Sequence, residues 1–347
     1  MGGLLAGVHY PRNWEECVAW FAAEADCRDY LDWLRWGQGF VCPHCGAVKG
    51  CRRGDGRWLC AGCGRTVSQT AGTIFDKSRT PLTLWFAAAW HMAVQKNGIS
   101  SLGLRQELEL GSTQTAWHML HRFRSAMVRA ERTQLGGSLA VKVDETYVGG
   151  GEEGPGVRGA RGKCLVVVAI EIKRPRGYGR CRLAVVPNAS ASALQGFVRT
   201  NVQPGSSVIT DGWPSYRGLK RDYQHRPVNV SESEREAHGE LPGVHRIASL
   251  LKRWLVGTHQ GSVLPGHLQA YLDEFTFRFN RRGSRHRGLL FYRLMEGAVA
   301  GEPLRYAQLI PRHSPRREGR HPTPPVAPQR VHVRPAATLR PWRTTTS

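Results

Sequence analysis

Four cysteines fall in two Cys-x2-Cys pairs, Cys42-Pro43-His44-Cys45 and Cys60-Ala61-Gly62-Cys63. Each pair lets two thiolates approach one ion from a tight turn, and two such turns complete a tetrahedral sulfur shell for Zn2+. A lone Cys-x2-Cys also suits redox chemistry, but two pairs at this interval favour zinc. With all four positions filled the ion is structural, and no open site is left for catalysis. Gly46 and Gly64, each just after the second cysteine of its pair, let the backbone turn under the metal and are expected to aim amides at sulfur. His44, inside the first turn, is expected to face solvent. The other cysteines (Cys17, Cys27, Cys51, Cys164 and Cys181) are scattered, and the odd total of nine argues against a disulfide framework and for a reducing compartment.

A second set of residues carries oxygen chemistry. Leu139 to Val143 alternates as a strand and delivers Asp144-Glu145 at its end, followed by Tyr147-Val148-Gly149-Gly150. Ser207 to Thr210 is another short strand, and it ends in Asp211, then Gly212-Trp213. A single Asp after a strand is usually a turn or helix cap. Two strands presenting Asp at matching ends suggest a shared divalent cation, and hard oxygen ligands suit Mg2+ or Mn2+. Farther on, Val244 to Trp254 is an amphipathic helix in which His245, Ser249 and Lys252 recur at i, i+4 and i+7 and share a face. Lys252 there is suited to hold a phosphate.

The elements that must position these groups divide the chain into five parts. Residues 10–38 are helical in spacing, 39–78 form a compact metal-held module, and 79–132 return to helical periodicity. Residues 137–296 alternate strand-like and helical runs, with Lys163 to Ile172 and Cys181 to Val186 completing a meander and Ala191 to Thr200 a helix, as in an α/β domain. Residues 311–347 hold eight arginines against one glutamate with few large apolar residues, which predicts a disordered basic tail. No internal repeat is present. A formal charge of +22 and a pI near 10.3 point to a polyanionic partner, and nucleic acid is the commonest. The longest aliphatic run, Leu165 to Ile170, is far short of the roughly 18 residues a membrane span needs, and Met1 to His9 lacks the charged start and apolar length of a signal peptide, so neither secretion nor membrane insertion is expected.

Ile99 to Leu110, Gly111-Ser112 and Thr113 to Met127 have the pattern of a helix-turn-helix. In the second helix Ala116, Leu120, Phe123 and Met127 form one apolar stripe, and Gln114, His118, Arg122 and Arg124 are candidates to reach bases or phosphates. An ordinary helix pair inside a domain gives the same pattern, and the charge of the chain tips the reading toward DNA.

Taken together, Phe40 to Cys63, Gln69 to Asp76, Val143 to Gly150, Thr210 to Tyr216, Ser249 to His259 and Tyr271 to Arg282 resemble the insertion-sequence transposases of the ISXO type, a bacterial and archaeal DDE group with an N-terminal zinc ribbon. The resemblance covers roughly residues 10–295. It implies a ribonuclease-H-like, retroviral-integrase-type α/β catalytic domain preceded by a zinc ribbon and a helix-turn-helix region. It also implies two divalent cations, and DNA cleavage and strand transfer at the ends of a mobile element. By this likeness Asp144 and Asp211 are the first two acids, His245 stands at the third position in place of Glu, and Lys252 follows it by two turns.

Histidine at the third position removes a negative charge, which weakens the second metal and leans activity toward manganese. Glu145, Glu236 and Glu240 are alternative third carboxylates, although Glu145 should point to the opposite strand face. Tyr147 and Tyr216 are expected to be structural, because no covalent intermediate is required. Arg246 and Arg253, with Lys252, are expected to hold backbone phosphates. The implied partners are double-stranded DNA (element ends and target) and further copies of the chain in a synaptic complex, with no membrane and with a cytoplasmic, nucleoid-associated location. Two alternatives share these residues: a nuclease that cuts without joining, and a DNA-binding descendant whose catalytic site has decayed.

Overall fold

The computed structural model describes residues 3–129, 132–149, 163–173, 175–228, 242–261 and 263–310, together with Trp342. Glu236, Glu240 and the remainder of the predicted basic tail lie outside the described residues. The chain divides into two compact units, Met1–Met127 with Ser284–Ser347, and Val128–Gly283.

In the first unit, α1 (Trp14–Trp20) and α2 (Glu24–Trp36) lead into a three-stranded antiparallel ribbon, β1 (Gly50–Arg52), β2 (Trp58–Cys60) and β3 (Thr66–Val67). Three helices follow: α3 (Leu82–Val94), α4 (Ser101–Glu107) and α5 (Thr113–Ala126). The sequence of α3 is apolar almost all round, and the helix is correspondingly buried from Leu82 to Ala93, as a helix hydrophobic on every side must be. Phe21, Tyr30 and Phe86 meet over it with ring centroids 4.5 to 5.9 Å apart. Ser100 and Ser112 cap α4 and α5, accepting from the amides of Gly103 and Thr115. The first of this helix pair is shorter than its periodicity suggested. It stops at Leu108, and Glu109 takes a left-handed φ of 49°.

Sequence pattern assigned residues up to 296 to the α/β domain, but the chain from Ser284 onward belongs to the first unit. Gly288–Ala300 there forms a helix whose Phe291 ring lies 6.1 Å from that of Phe86. Gly297 explains how close this helix comes to α5, since a Cβ at that position would sit 2.1 Å from the Ala126 carbonyl oxygen.

The second unit is a mixed sheet with helices on both faces. Strands β4 (Ala140–Val148), β5 (Cys164–Ile172) and β6 (Tyr178–Val186) form an antiparallel meander. After α6 (Ala191–Asn201), β7 (Ser207–Asp211) joins β4 in parallel, and β8 (Gln224–Val228) joins β7, for the order β6-β5-β4-β7-β8. Helices α7 (Pro242–His259) and α8 (Leu268–Asn280) complete the unit; α9 is the Gly288–Ala300 helix, and α10 is Tyr306–Leu309.

Strand β5 reads Leu-Val-Val-Val-Ala-Ile because both of its faces are covered. Leu165, Val167 and Ala169 pack with Val141, Val143 and α6, whereas Val166, Val168 and Ile170 pack with Val244, Ile247 and Leu251 of α7 and with α8. Strand β8 has no sequence signal. Gln-His-Arg-Pro-Val lacks alternation and carries a proline, which an edge strand tolerates. Along β6, side chains of α8 stand in for a neighbouring strand. The Val185 amide donates to Gln269 Oε1 at 2.9 Å, the Cys181 amide donates to Asn280 Oδ1 at 2.7 Å, and Asn280 Nδ2 donates back to the Cys181 carbonyl at 3.1 Å.

Candidate metal centres

The ribbon gathers Cys42, Cys45, Cys60 and Cys63 so that their sulfurs all lie within 4.8 Å of one another. The Cys42–Cys63 and Cys45–Cys60 separations are 3.8 and 3.6 Å. A tetrahedral Zn–S bond of about 2.3 Å sets sulfurs about 3.8 Å apart, so the cage fits zinc as it stands. Both turns are closed as the glycine spacing requires, with Gly46 and Gly64 at φ values of 74° and 67°. Their amides bond to the Cys42 and Cys60 carbonyls, however, and not to sulfur as expected. Other amides reach the thiols: that of Gly62 lies 3.3 Å from Cys60 Sγ, that of Cys63 also bonds Cys60, and that of Ala47 bonds Cys45. Hydrogen bonds from the Cys63 and Gly62 amides hold the Cys60 thiol down, to about 7, which readies it for a cation. Beneath the cage Phe40 stacks on Trp58 at 4.8 Å, and the buried Gln69 donates to the Gly56 carbonyl and to Asp32. His44 is exposed, as expected.

The second centre is built by register. The parallel pairing of β4 with β7 sets Lys142 opposite Ile209, and two residues farther along each strand come Asp144 and Asp211. Alternation then fixes their direction. Val143 and Val208 enter the core on the α6 side, and Asp144 pairs across β5 with Val168 of the other core, so both carboxylates take the face opposite α6. Asp144 does not end its strand, as expected from sequence. β4 continues beside β5 to Val148, and only the β7 side ends near the acids, which leaves the carboxylates half-buried.

Glu145 completes the cluster. One oxygen from each of Asp144, Glu145 and Asp211 lies within 4.8 Å of the others. Strand parity roots Glu145 on the α6 side, as expected, and there Tyr216 Oη donates to its Oε2 at 2.9 Å. The longer side chain nevertheless brings an oxygen round to the two aspartates. The Glu145 amide donates to Asp144 Oδ1 at 2.8 Å, and the Trp213 amide to Asp211 Oδ1 at 3.3 Å. Burial pushes the Asp144 carboxyl up to about 7; Asp211 and Glu145 add to the rise and the Glu145 amide opposes it. Burial, and then Glu145, push the Tyr216 phenol far above its ordinary value, so its hydroxyl stays a donor. Three crowded carboxylates, one of them held protonated near neutral pH, are the donor set a divalent cation relieves.

Asp144 and Asp211 are thus brought together, whereas His245 is not a member of the carboxylate group among the described residues. His245, Arg246, Ser249, Lys252 and Arg253 all face solvent on α7. Tyr216, expected to be merely structural, is fully buried and bonded to the site. No spacing rule identifies it, because its role depends on the three-ten turn Pro214–Arg221 returning over the core.

Of the expected DNA-contacting residues of α5, Arg122 and Arg124 are buried. Arg122 is 7% exposed and donates to the carbonyls of Ile74 at 2.7 Å, Leu304 at 2.9 Å and Asp76 at 3.2 Å. Arg124 is 1% exposed. His118 lies against the Leu304 carbonyl at 3.1 Å, and Gln114, although exposed, donates to the Tyr306 hydroxyl. The segment from Leu304 to Tyr306 lies against this face, so the pair of helices is present with Arg122 and Arg124 turned inward, His118 half-buried and Gln114 exposed.

Residues 134–280 match the ISXO2-like transposase domain, and residues 22–66 match the transposase zinc-ribbon domain. An uncharacterized protein in transposable element ISH50 of Halobacterium salinarum is 28% identical over 278 residues, covering 74% of this chain and 91% of that protein. No solved structure matches. The mixed sheet with helices on both faces is consistent with the ribonuclease-H-like fold that the first match implies. Among the described residues no helix is long and apolar enough to cross a membrane. With its four-cysteine cage in the zinc-ribbon match and its register-paired aspartates in the other, the chain joins a transposase zinc ribbon to an ISXO2-like transposase domain.

Proposed function

We propose that this protein binds the terminal inverted repeats of its insertion sequence and catalyses cleavage of the DNA strands and their transfer to target DNA. The observation that carries the reading is the meeting of Asp144 and Asp211, distant in sequence, on one sheet face at matched register. These two carboxylates would hold the divalent cations, Mg2+ or Mn2+. A bound pair of such ions supplies Lewis-acid activation of an attacking oxygen and charge neutralisation at the leaving one.

The chain's own residues supply the rest. The Glu145 and Trp213 amides fix the Asp144 and Asp211 carboxylates before DNA arrives. Lys252, Arg246 and Arg253, solvent-facing on α7, grip backbone phosphates, and His245 on the same side assists at the cation site. The zinc ribbon carries exposed Lys49, Arg53, Arg57 and Arg65 and serves as the repeat-binding element. Two or more copies pair the element ends.

The test is incubation of the protein with element ends and Mg2+ or Mn2+, scored for joined products. D144N is expected to abolish joining and to bind the ends unchanged; undiminished joining by D144N removes Asp144 from the mechanism. Supplying a pre-cut end separates a transposase from a nuclease, which leaves that end unjoined. The position of His245 outside the carboxylate group favours the decayed DNA-binding alternative, and that alternative predicts end binding with no metal-dependent product.

A further inference from the structure

We propose that Glu145, oriented by the buried Tyr216 hydroxyl, supplies the third carboxylate of the divalent-cation site, the part that His245 would hold by its place in the sequence. The inference rests on the transposase reading of Asp144 and Asp211, and concerns how this chain completes their site.

Three observations converge. First, reach: oxygens sharing one octahedral Mg2+ at about 2.1 Å lie about 3 Å apart when adjacent and about 4.2 Å apart when opposite. The three carboxylates already present oxygens within 4.8 Å of one another, so small side-chain rotations close the set. Second, orientation: each carboxylate is held by a donor on one oxygen, Asp144 by the Glu145 amide, Asp211 by the Trp213 amide and Glu145 by the Tyr216 hydroxyl. Trp213 and Tyr216 both follow Asp211 within one turn of chain, so the segment that delivers the second acid also aligns the third.

Third, placement. A glutamate rooted on the α6 face beside Val143 and Tyr147 would ordinarily have its carboxylate pressed against an apolar core, which is costly without a partner. The Tyr216 ring, fully buried in that core, spans it and brings a hydroxyl to Glu145 Oε2. Tyr216 is therefore a positioning residue, and its ring packing can be kept while the hydroxyl is removed.

The experiment is Mn2+ binding to the zinc-loaded full-length protein, followed by the electron paramagnetic resonance signal of free Mn2+, with no DNA present. E145Q is expected to raise the Mn2+ dissociation constant at least tenfold and Y216F about three- to tenfold, while H245A raises it less than E145Q does. Melting of each variant without Mn2+ separates loss of fold from loss of the ligand, and Y216F, which removes one oxygen atom, is the variant least disruptive to packing. If D144N loses Mn2+ while E145Q and Y216F bind as the unaltered protein does, the proposal is overturned and the transposase reading stands. If the unaltered protein binds no Mn2+, or D144N binds it equally well, the cation site itself is misassigned and both readings fall.

Discussion

Arg122 offers a sharp test, because its sequence position and its surroundings give opposite expectations. As a residue of a recognition helix it would touch a phosphate, and its loss would weaken DNA binding and lower the salt slope by about one. In the fold it is a buried staple whose guanidinium satisfies the carbonyls of Ile74, Asp76 and Leu304. Burial lowers its pKa, with Asp76 opposing the shift, as expected of a cation removed from water and held by acceptors. Arg122→Met keeps most of the volume and deletes every donor. Three carbonyls then lose a charged partner, at about 1 to 2 kcal/mol each once partial rehydration is allowed, for a total of about 3 to 6 kcal/mol. A unit of this size loses roughly 2 to 4 °C of melting temperature per kcal/mol, so the first unit should melt roughly 6 to 24 °C lower. Denaturant unfolding read by tryptophan fluorescence measures the loss. End-binding titrations at several salt concentrations, well below the new melting point, measure the rest. A variant that melts like the unaltered protein but binds DNA more weakly, with a shallower salt slope, would refute the staple and restore Arg122 to the interface.

Three further outcomes follow from the same geometry. Because the Asp144 carboxyl is held near 7, a cation must displace a proton there at lower pH; Mn2+ affinity should fall about tenfold from pH 8 to pH 6 and change little above pH 8, and a flat profile between 6 and 8 would contradict this. Prolonged treatment with a thiol-competing chelator should open the four-cysteine cage and unfold the ribbon while the α/β unit keeps its strand signal in circular dichroism, because that sheet shares none of the four thiolates. Burial raises the Glu171 carboxyl, but Arg180, through its side chain and amide, and the Gly136 amide together outweigh it and hold it below its ordinary value. This contribution is present above the unfolded value of about 4.3 and is lost as pH falls through the lower folded one; Glu171→Gln should cost roughly 2 to 3 kcal/mol at pH 7 and much less in strong acid, read by urea unfolding.

What could be read in the sequence was whatever depends on local spacing. Cys42 to Cys63 determines its own cage, because the ligands and their turns lie within one short ribbon. Asp144 and Asp211 were legible as a pair because each follows an alternating apolar stretch, although β4 runs on past Asp144 to Val148. Strand parity also gave the root of Glu145 correctly; it missed only that a glutamate is long enough to come round the strand. Several misreadings involve residues returning from far along the chain. The burial of Arg122 is set by Leu304, and the fate of Gln114 and His118 by Leu304 and Tyr306. The helix Gly288–Ala300 packs with the first unit through Gly297, whose closeness to Ala126 is invisible to periodicity. Strand β8 was missed because a polar edge strand with Pro227 carries no alternation to detect.

The amides of Gln269 and Asn280 along β6 have a consequence for how copies of this protein can meet. An uncapped outer strand is a template that any extended peptide can lengthen, and proteins with such borders tend to fuse sheet to sheet. Here two carboxamides fill the hydrogen-bonding slots of Cys181 and Val185, so that border is closed to a stranger's backbone. In the proposed pairing of element ends, two copies would therefore touch through something other than this margin, and would part with no continuous sheet to pull apart.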